Sequence, residues 1–216
     1  MQGNPSYDPA LLLPDLGGVF CREALSYKRY PCGRPLRAAI DATLSARAAL
    51  GIASVADIEA VTIEADPAGH ADRFGGMPAK RRPTRVVEAQ FAQPFLVATA
   101  LVQGRVGIAE VDGLGDAAVL ALSDRVTGAA QDGWPKRSLG ITVRRTDARS
   151  VTVEANDPIG SPHKPLSVAQ FEAKFRDCAG NARRPLLAAS VDAAVASIGG
   201  LETLADVREL LTPYAA

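Results

Sequence analysis

The sequence has few of the residues that build metal centres. It holds two histidines, His70 and His163, and three widely spaced cysteines, Cys21, Cys32 and Cys178. A transition-metal site would lack most of its ordinary donors, so no metal is expected. An odd number of distant cysteines fits reduced thiols better than a disulfide framework. Excess charge of either sign is also missing, with Lys plus Arg and Asp plus Glu both at 24. No global field draws such a chain to nucleic acid or to an anionic membrane, and neither is expected as a partner. The longest apolar stretch, FLVATALV, is far too short to span a bilayer, and the N-terminus has no basic segment leading an apolar run. A cytoplasmic protein is expected.

What is present is enough for a core, since 47% of the 216 residues are hydrophobic. Residues 1–26 are rich in Pro, Gly and mixed polar residues without periodicity, and read as an N-terminal connector. Leu36, Ile40, Leu44 and Ala48 recur at helical spacing, with Gly51 placed to end the helix. Val61, Ile63 and Ala65 alternate as in a strand, and 66–85 reads as a loop. Val87, Phe91, Phe95, Ala98 and Val102 form a helical stripe, expected to be kinked at Pro94 and closed at Gly104. A shorter helix is predicted over 115–127. Alternation around Ile141 and Val143, a turn at TDARS, and alternation at Val151 and Val153 predict an antiparallel hairpin.

The last third reads as helical. Ser167 and Gln170 stand at capping-box spacing before Phe171, Phe175 and Cys178, and Gly180 ends that helix. Leu187, Val191, Val195 and Ile198 mark a second helix ended at Gly199-Gly200, and Leu204, Val207 and Leu211 a third. The fold class expected is α+β: a small antiparallel sheet with helices, followed by C-terminal helices.

Chemistry concentrates in YKRYPCGRPLR, where Lys28, Arg29 and Arg34 surround Pro31 ahead of a helix whose first amides would be free to meet an anion. A carboxylate or phosphate would suit that turn. Solvated cations flanking a helix start would give the same pattern. The run Lys80 to Arg85 reads as a solvated face, and His70 and His163 as surface imidazoles without a partner in the sequence. Cys32 lies beside cations that would lower its pKa, but no histidine base is near it and no nucleophile elbow surrounds it. DGLGD at 112–116 follows no clear strand, which argues against a dinucleotide-binding turn.

Taken in order, KRYPCGR before a helix, EAQFAQPFLVATALVQGRVG after a strand, IGSPHKPLSVAQFEAKFRDCA, and GGLETLADVRELL resemble the C-terminal part of the MmgE/PrpD family. That family includes 2-methylcitrate dehydratases, cis-aconitate decarboxylases and iminodisuccinate epimerases. The resemblance implies a lid-like α+β domain over 27–165 and a helical tail over 166–216 belonging to a helical domain. It further implies cofactor-independent lyase chemistry, dehydration or decarboxylation, on small di- or tricarboxylates. Lys28 and Arg34 match the family's basic positions, and Lys28, Tyr30, Cys32, Arg34 and Arg37 are the substrate-binding residues it implies. No catalytic residue is assigned. Where the family often carries a histidine just after this turn, the sequence has Gly33 and Arg37, and Phe95 replaces the tyrosine of the AQFxxPY pattern. Neither an arginine nor a phenyl ring restores proton transfer. The family's main helical domain is expected from a separate subunit, unless the chain is a truncated gene product, and the chain alone is expected to be inactive. A homodimer is the alternative to that partner, and a non-catalytic carboxylate-binding or interaction module, or an epimerase or isomerase of the same family, is the alternative function.

Overall fold

The computed structural model describes residues 17–18, 25–75, 78–135 and 138–214. The expected connector therefore lies largely outside the described residues, and so does Cys21. The described chain is α+β, with a four-stranded sheet in the order β2-β1-β3-β4. The strands are β1 (Ile58–Ala65), β2 (Val126–Ala130), β3 (Leu139–Arg145) and β4 (Ser150–Ala155). The three strands expected from alternation pair antiparallel, with Val61 opposite Val143 and Ile141 opposite Val153. β2 joins the other side of β1 in parallel, with Val61 opposite Val126, which makes the sheet mixed.

Alternation sorts the two sheet faces. Val61, Ile63, Val126, Ile141 and Val143 are fully buried on the inner face. The register lines up Thr127, Thr62, Thr142 and Thr152 as one row on the outer face. Their hydroxyls pair at 3.2 Å (Thr62–Thr127) and 2.8 Å (Thr142–Thr152). Helices α1 (Arg37–Leu50) and α4 (Gln93–Gln103) pack together on the inner face, α1 chiefly over β3 and β4. Each ends at a left-handed glycine, Gly51 (φ 61°) and Gly104 (φ 70°), as the sequence predicts.

Four expectations need correction. The segment 66–85 is not a loop throughout, because α2 (Pro67–Phe74) occupies its first half. Asp66 caps it by accepting from Gly69 N at 2.7 Å, and Pro67 sits where a helix needs no amide donor. Pro94 does not kink a long helix; the chain breaks between α3 (Val86–Ala89) and α4, and Pro94 lies in the first turn of α4. The predicted stripe is split accordingly, with Phe95 fully buried while Val87 and Phe91 are 56% and 60% exposed. Between α4 and the sheet's edge lie α5 (Ile108–Asp112) and α6 (Ala117–Arg125), and α6 runs directly into β2, which takes the last residues of the helix expected over 115–127. In the tail, α7 (Val168–Gly180) and α8 (Ala188–Gly199) form as expected, but Val207–Tyr214 is 3-10 rather than α.

The Ser167–Gln170 capping box is formed in both directions. α7 is held to the rest of the chain by Asp177, which accepts from Ile108 N at 3.1 Å and pairs with Arg105 at 3.2 Å. Phe171 meets Tyr27 edge to face, with ring centroids 5.0 Å apart. Beyond α7, Leu187, Ile198, Val207 and Leu211 remain exposed.

Candidate functional site

The YPC turn is built from beneath. Tyr27 N donates to Gly160 O at 2.8 Å and Gly33 N donates to Gln90 O at 2.8 Å, so the turn is tied to the 156–164 loop on one side and to the α3–α4 junction on the other. Tyr30, Cys32 and Arg37 are buried under it. Tyr30 donates its hydroxyl to Asp41 Oδ1 at 2.7 Å, and Arg29 stacks over the Tyr30 ring at 5.3 Å. Arg37 Nη1 donates to Tyr27 O at 2.6 Å. Its position on the first turn of α1 turns the guanidinium back under the segment that leads into the helix.

The start of this helix offers fewer free amides than the sequence suggests. A 3-10 turn over Arg34–Leu36 precedes α1, Pro35 has no N–H, and Leu36 N is already donated to Gly33 O at 3.1 Å.

The proposed binding residues fall into two groups. Arg34 and Arg37 line a cavity of about 520 Å³ together with Arg73 from α2 and Asp157, Ser161 and His163 from the 156–164 loop. Lys28 is exposed on the turn outside that lining. Tyr30 and Cys32 also lie outside it and act as supports. Burial pushes the Cys32 thiol up to about 12, despite the opposing pull of Arg37 and Lys28. Burial and the neighbouring Asp41 carboxylate push the Tyr30 hydroxyl up as well. Neither group is a nucleophile or a base in this setting.

Asp41, Arg73 and Asp157 were not singled out in the sequence. Asp41 lies four residues after Arg37 on α1 and accepts from Ile159 N with Oδ2 at 2.8 Å while Oδ1 takes the Tyr30 hydroxyl. Burial raises its carboxyl above the usual value, and the Tyr30 and Ile159 hydrogen bonds pull it back. An acid at i+4 from an arginine is a visible signal, although here it serves a tyrosine and a loop amide. Arg73 gave no local signal, because its segment read as loop.

The other sequence candidates are tied into the fold. Arg81 Nη2 donates to Val126 O at 2.8 Å, Arg82 pairs with Asp124, Arg85 pairs with Glu88, and Lys80 donates to Asp72 O. The basic run thus fastens α2, α6 and β2. His70 stacks on Phe74 at 5.2 Å. Among the described residues no cluster of three or more His, Cys, Asp or Glu is placed to hold a metal ion, and no helix is long and apolar enough to cross a membrane.

No curated protein matches the chain. The MmgE/PrpD C-terminal domain matches it over residues 30–191, a span that takes in the turn from Tyr30, the whole sheet, the 156–164 loop and α7. With more than half of the 216 residues inside that match, the chain belongs to the MmgE/PrpD family through its C-terminal domain.

Proposed function

We propose that this chain is the lid-plus-tail part of a cofactor-independent MmgE/PrpD-type lyase acting on small di- or tricarboxylates, with the main helical domain supplied by other residues. One observation carries the reading. Lys28 and Arg34 are exposed on a turn whose underside is fixed by buried Tyr30 and Arg37. Two cations on a braced turn are pre-organised to hold a carboxylate while negative charge develops at the neighbouring carbon. The base that starts the reaction comes from the helical domain, since the phenyl ring of Phe95 carries no proton to transfer and Arg37 keeps its own. The lid alone is therefore inactive. The exposed Leu187, Ile198, Val207 and Leu211 of the tail offer that domain an apolar face.

The test is to tag the chain in its native host, isolate it gently and identify what co-elutes. A helical partner of roughly 250 residues is expected. The complex should dehydrate or decarboxylate a citrate-like acid, and Lys28→Ala should lower kcat/KM about a hundredfold, as the loss of a transition-state charge contact does. A complex without turnover on such acids, or a chain that elutes only alone or with itself, removes the lyase reading.

A second reading follows from the same buried residues. Phe95 and Arg37 stand where the family resemblance calls for proton carriers, which favours a module that binds carboxylates and converts none. Saturable citrate binding with no turnover in any complex supports it. Epimerase or isomerase chemistry within the family is separated from lyase chemistry by the product, a stereoisomer rather than an alkene or carbon dioxide.

A further inference from the structure

The two edges of the sheet are built differently. β2 is short, carries Gly128, and has part of its outward row filled. Gln131 N donates to Ala65 O at 2.9 Å, so by alternation Val126 turns its carbonyl away from β1, and Arg81 Nη2 caps that carbonyl at 2.8 Å. β4 has none of these devices. Its residues, SVTVEA, include no proline, glycine or lysine, and they pair with β3 from Arg144–Ser150 to Leu139–Ala155 without a bulge. Among the described residues no strand and no hydrogen bond reaches the free side of β4.

The register says which groups that free side presents. Arg145 N donates to Arg149 O at 2.8 Å and closes the β3–β4 turn, so bonded and non-bonded pairs alternate from there. Val143–Val151 and Ile141–Val153 are bonded pairs, which turns the N–H and C=O of Ser150, Thr152 and Glu154 outward. The 2.8 Å approach of the Thr142 and Thr152 hydroxyls fits the closer side chains of a non-bonded pair. All three outward residues are exposed, and Val151 and Val153 on the inner face are only half-buried. The outward set is symmetric about Thr152. A second β4 laid antiparallel, with Thr152 opposite its own copy, sets each Ser150 opposite a Glu154, and every outward group gains a partner. Side chains keep their faces, because Val151 meets the other copy's Val153 beside the core and the row Thr127, Thr62, Thr142, Thr152 runs on into its copy. Charges agree as well. Arg144, exposed and paired with Glu59 at 2.6 Å, neighbours Ser150 on the outer face, so the other copy's Glu154 falls two strand spacings from it, roughly 10 Å between Cα atoms. No like charges stand opposite each other.

From this edge we infer that two copies of the chain pair through β4, antiparallel about Thr152, and join their four-stranded sheets into one continuous sheet. Pairing stops at two copies, because the interface is two-fold and Arg81 blunts the opposite edge. Two strands of this length bury less than the roughly 1,200 Å² of a standard interface, so the dimer is weak and its population follows concentration. The edge is separate from the exposed tail residues offered to a helical domain, Leu187 and Ile198 among them, and the pairing does not rest on the lyase reading.

The experiment uses the full chain. Sedimentation velocity, and amide hydrogen exchange resolved by NMR, are followed from about 10 µM to about 1 mM. The dimer fraction is expected to rise across that range. Exchange at Ser150, Thr152 and Glu154 should slow at least about fivefold at the upper end, while Val151 and Val153, bonded to β3, stay protected throughout. Thr152→Lys sets two like charges against each other at the centre of the pairing, on a residue that is exposed in the single chain, and should leave the protein folded and monomeric. Thr152→Pro removes an amide that serves no bond within β4 and β3, and should do the same. The exchange pattern of the unmodified chain decides the question if either variant fails to fold. A monomer at every concentration, or a dimer that persists in Thr152→Lys, would overturn the pairing. Outward amides equally protected at the lowest concentration would overturn it too, by placing a segment of the same chain on that edge. So would slowing of those amides only on adding a helical partner. Co-elution of such a partner by itself bears on the lyase reading alone.

Discussion

Tyr30 donates to Asp41 across 2.7 Å, and the other oxygen of the same carboxylate takes Ile159 N at 2.8 Å. One side chain of α1 therefore joins the YPC turn to the loop that forms the opposite wall of the cavity. Tyr30→Phe should cost about 1.5–3 kcal/mol, the range for a hydrogen bond to a charged group. Asp41→Ala should cost more, about 3 kcal/mol, because it strands the buried Tyr30 hydroxyl and the Ile159 amide together. Urea denaturation of both variants checks the order. Equal and negligible losses would mean that the carboxylate braces nothing.

Cys32 and Cys178 should differ sharply in reactivity. Cys178 is exposed, whereas Cys32 is 3% exposed with its thiol pushed up to about 12. Alkylation at pH 8 followed by peptide mapping is expected to modify Cys178 and spare Cys32 until the chain is unfolded. Rapid labelling of Cys32 in the native chain would contradict its burial.

The same thiol predicts a trend with pH. Its folded pKa lies above the ordinary 9.0, so the unfolded chain ionises first. The contribution to stability is fully present below pH 9 and is lost as pH rises toward about 12. Tyr30, shifted in the same direction, adds to the loss at the alkaline end of that window. The urea midpoint should fall across it, and fall less steeply in Cys32→Ser, which removes one of the two groups. A variant that falls in parallel with the parent would assign the loss elsewhere.

Gly160 is held at φ 94°, and a Cβ there would lie 2.3 Å from Tyr27 O. Its carbonyl accepts from Tyr27 N, and Arg37 donates to Tyr27 O. Gly160→Ala should therefore cost roughly 2 kcal/mol or more, through left-handed strain and through displacement of the turn. Thermal denaturation reads the loss. Unchanged stability would show that the loop moves aside freely.

Ala148 offers the opposite case, a non-glycine residue at φ 68° in the β3–β4 turn. Its amide donates to Arg145 O at 3.1 Å, and Arg145 N donates to Arg149 O at 2.8 Å across the turn. Ala148→Gly is expected to raise stability by about 1 kcal/mol, by relieving the left-handed penalty. A loss of stability would mean that the added freedom of the unfolded chain outweighs the strain.

The sequence by itself determined the elements whose signals are local. The alternation of Val61 with Ile63 and of Ile141 with Val143 placed β1 and β3, Gly51 and Gly104 ended their helices, and Ser167 with Gln170 opened α7. Each depends on neighbours within a few residues, where periodicity and capping chemistry act. The four ordered motifs also carried the family, which the match over 30–191 bears out. β2 was hidden because Val126 is the sole large apolar residue of VTGAA, and its strand state comes from pairing with β1 across more than sixty residues. α2 was hidden by Gly69 inside eight residues, although Asp66 and Pro67 mark its start. Only the tertiary structure decided which distant side chains line one cavity. Arg37, Arg73 and His163 come from three elements far apart in the chain, and their common cavity follows from packing both helices against one sheet face, for which no local spacing exists.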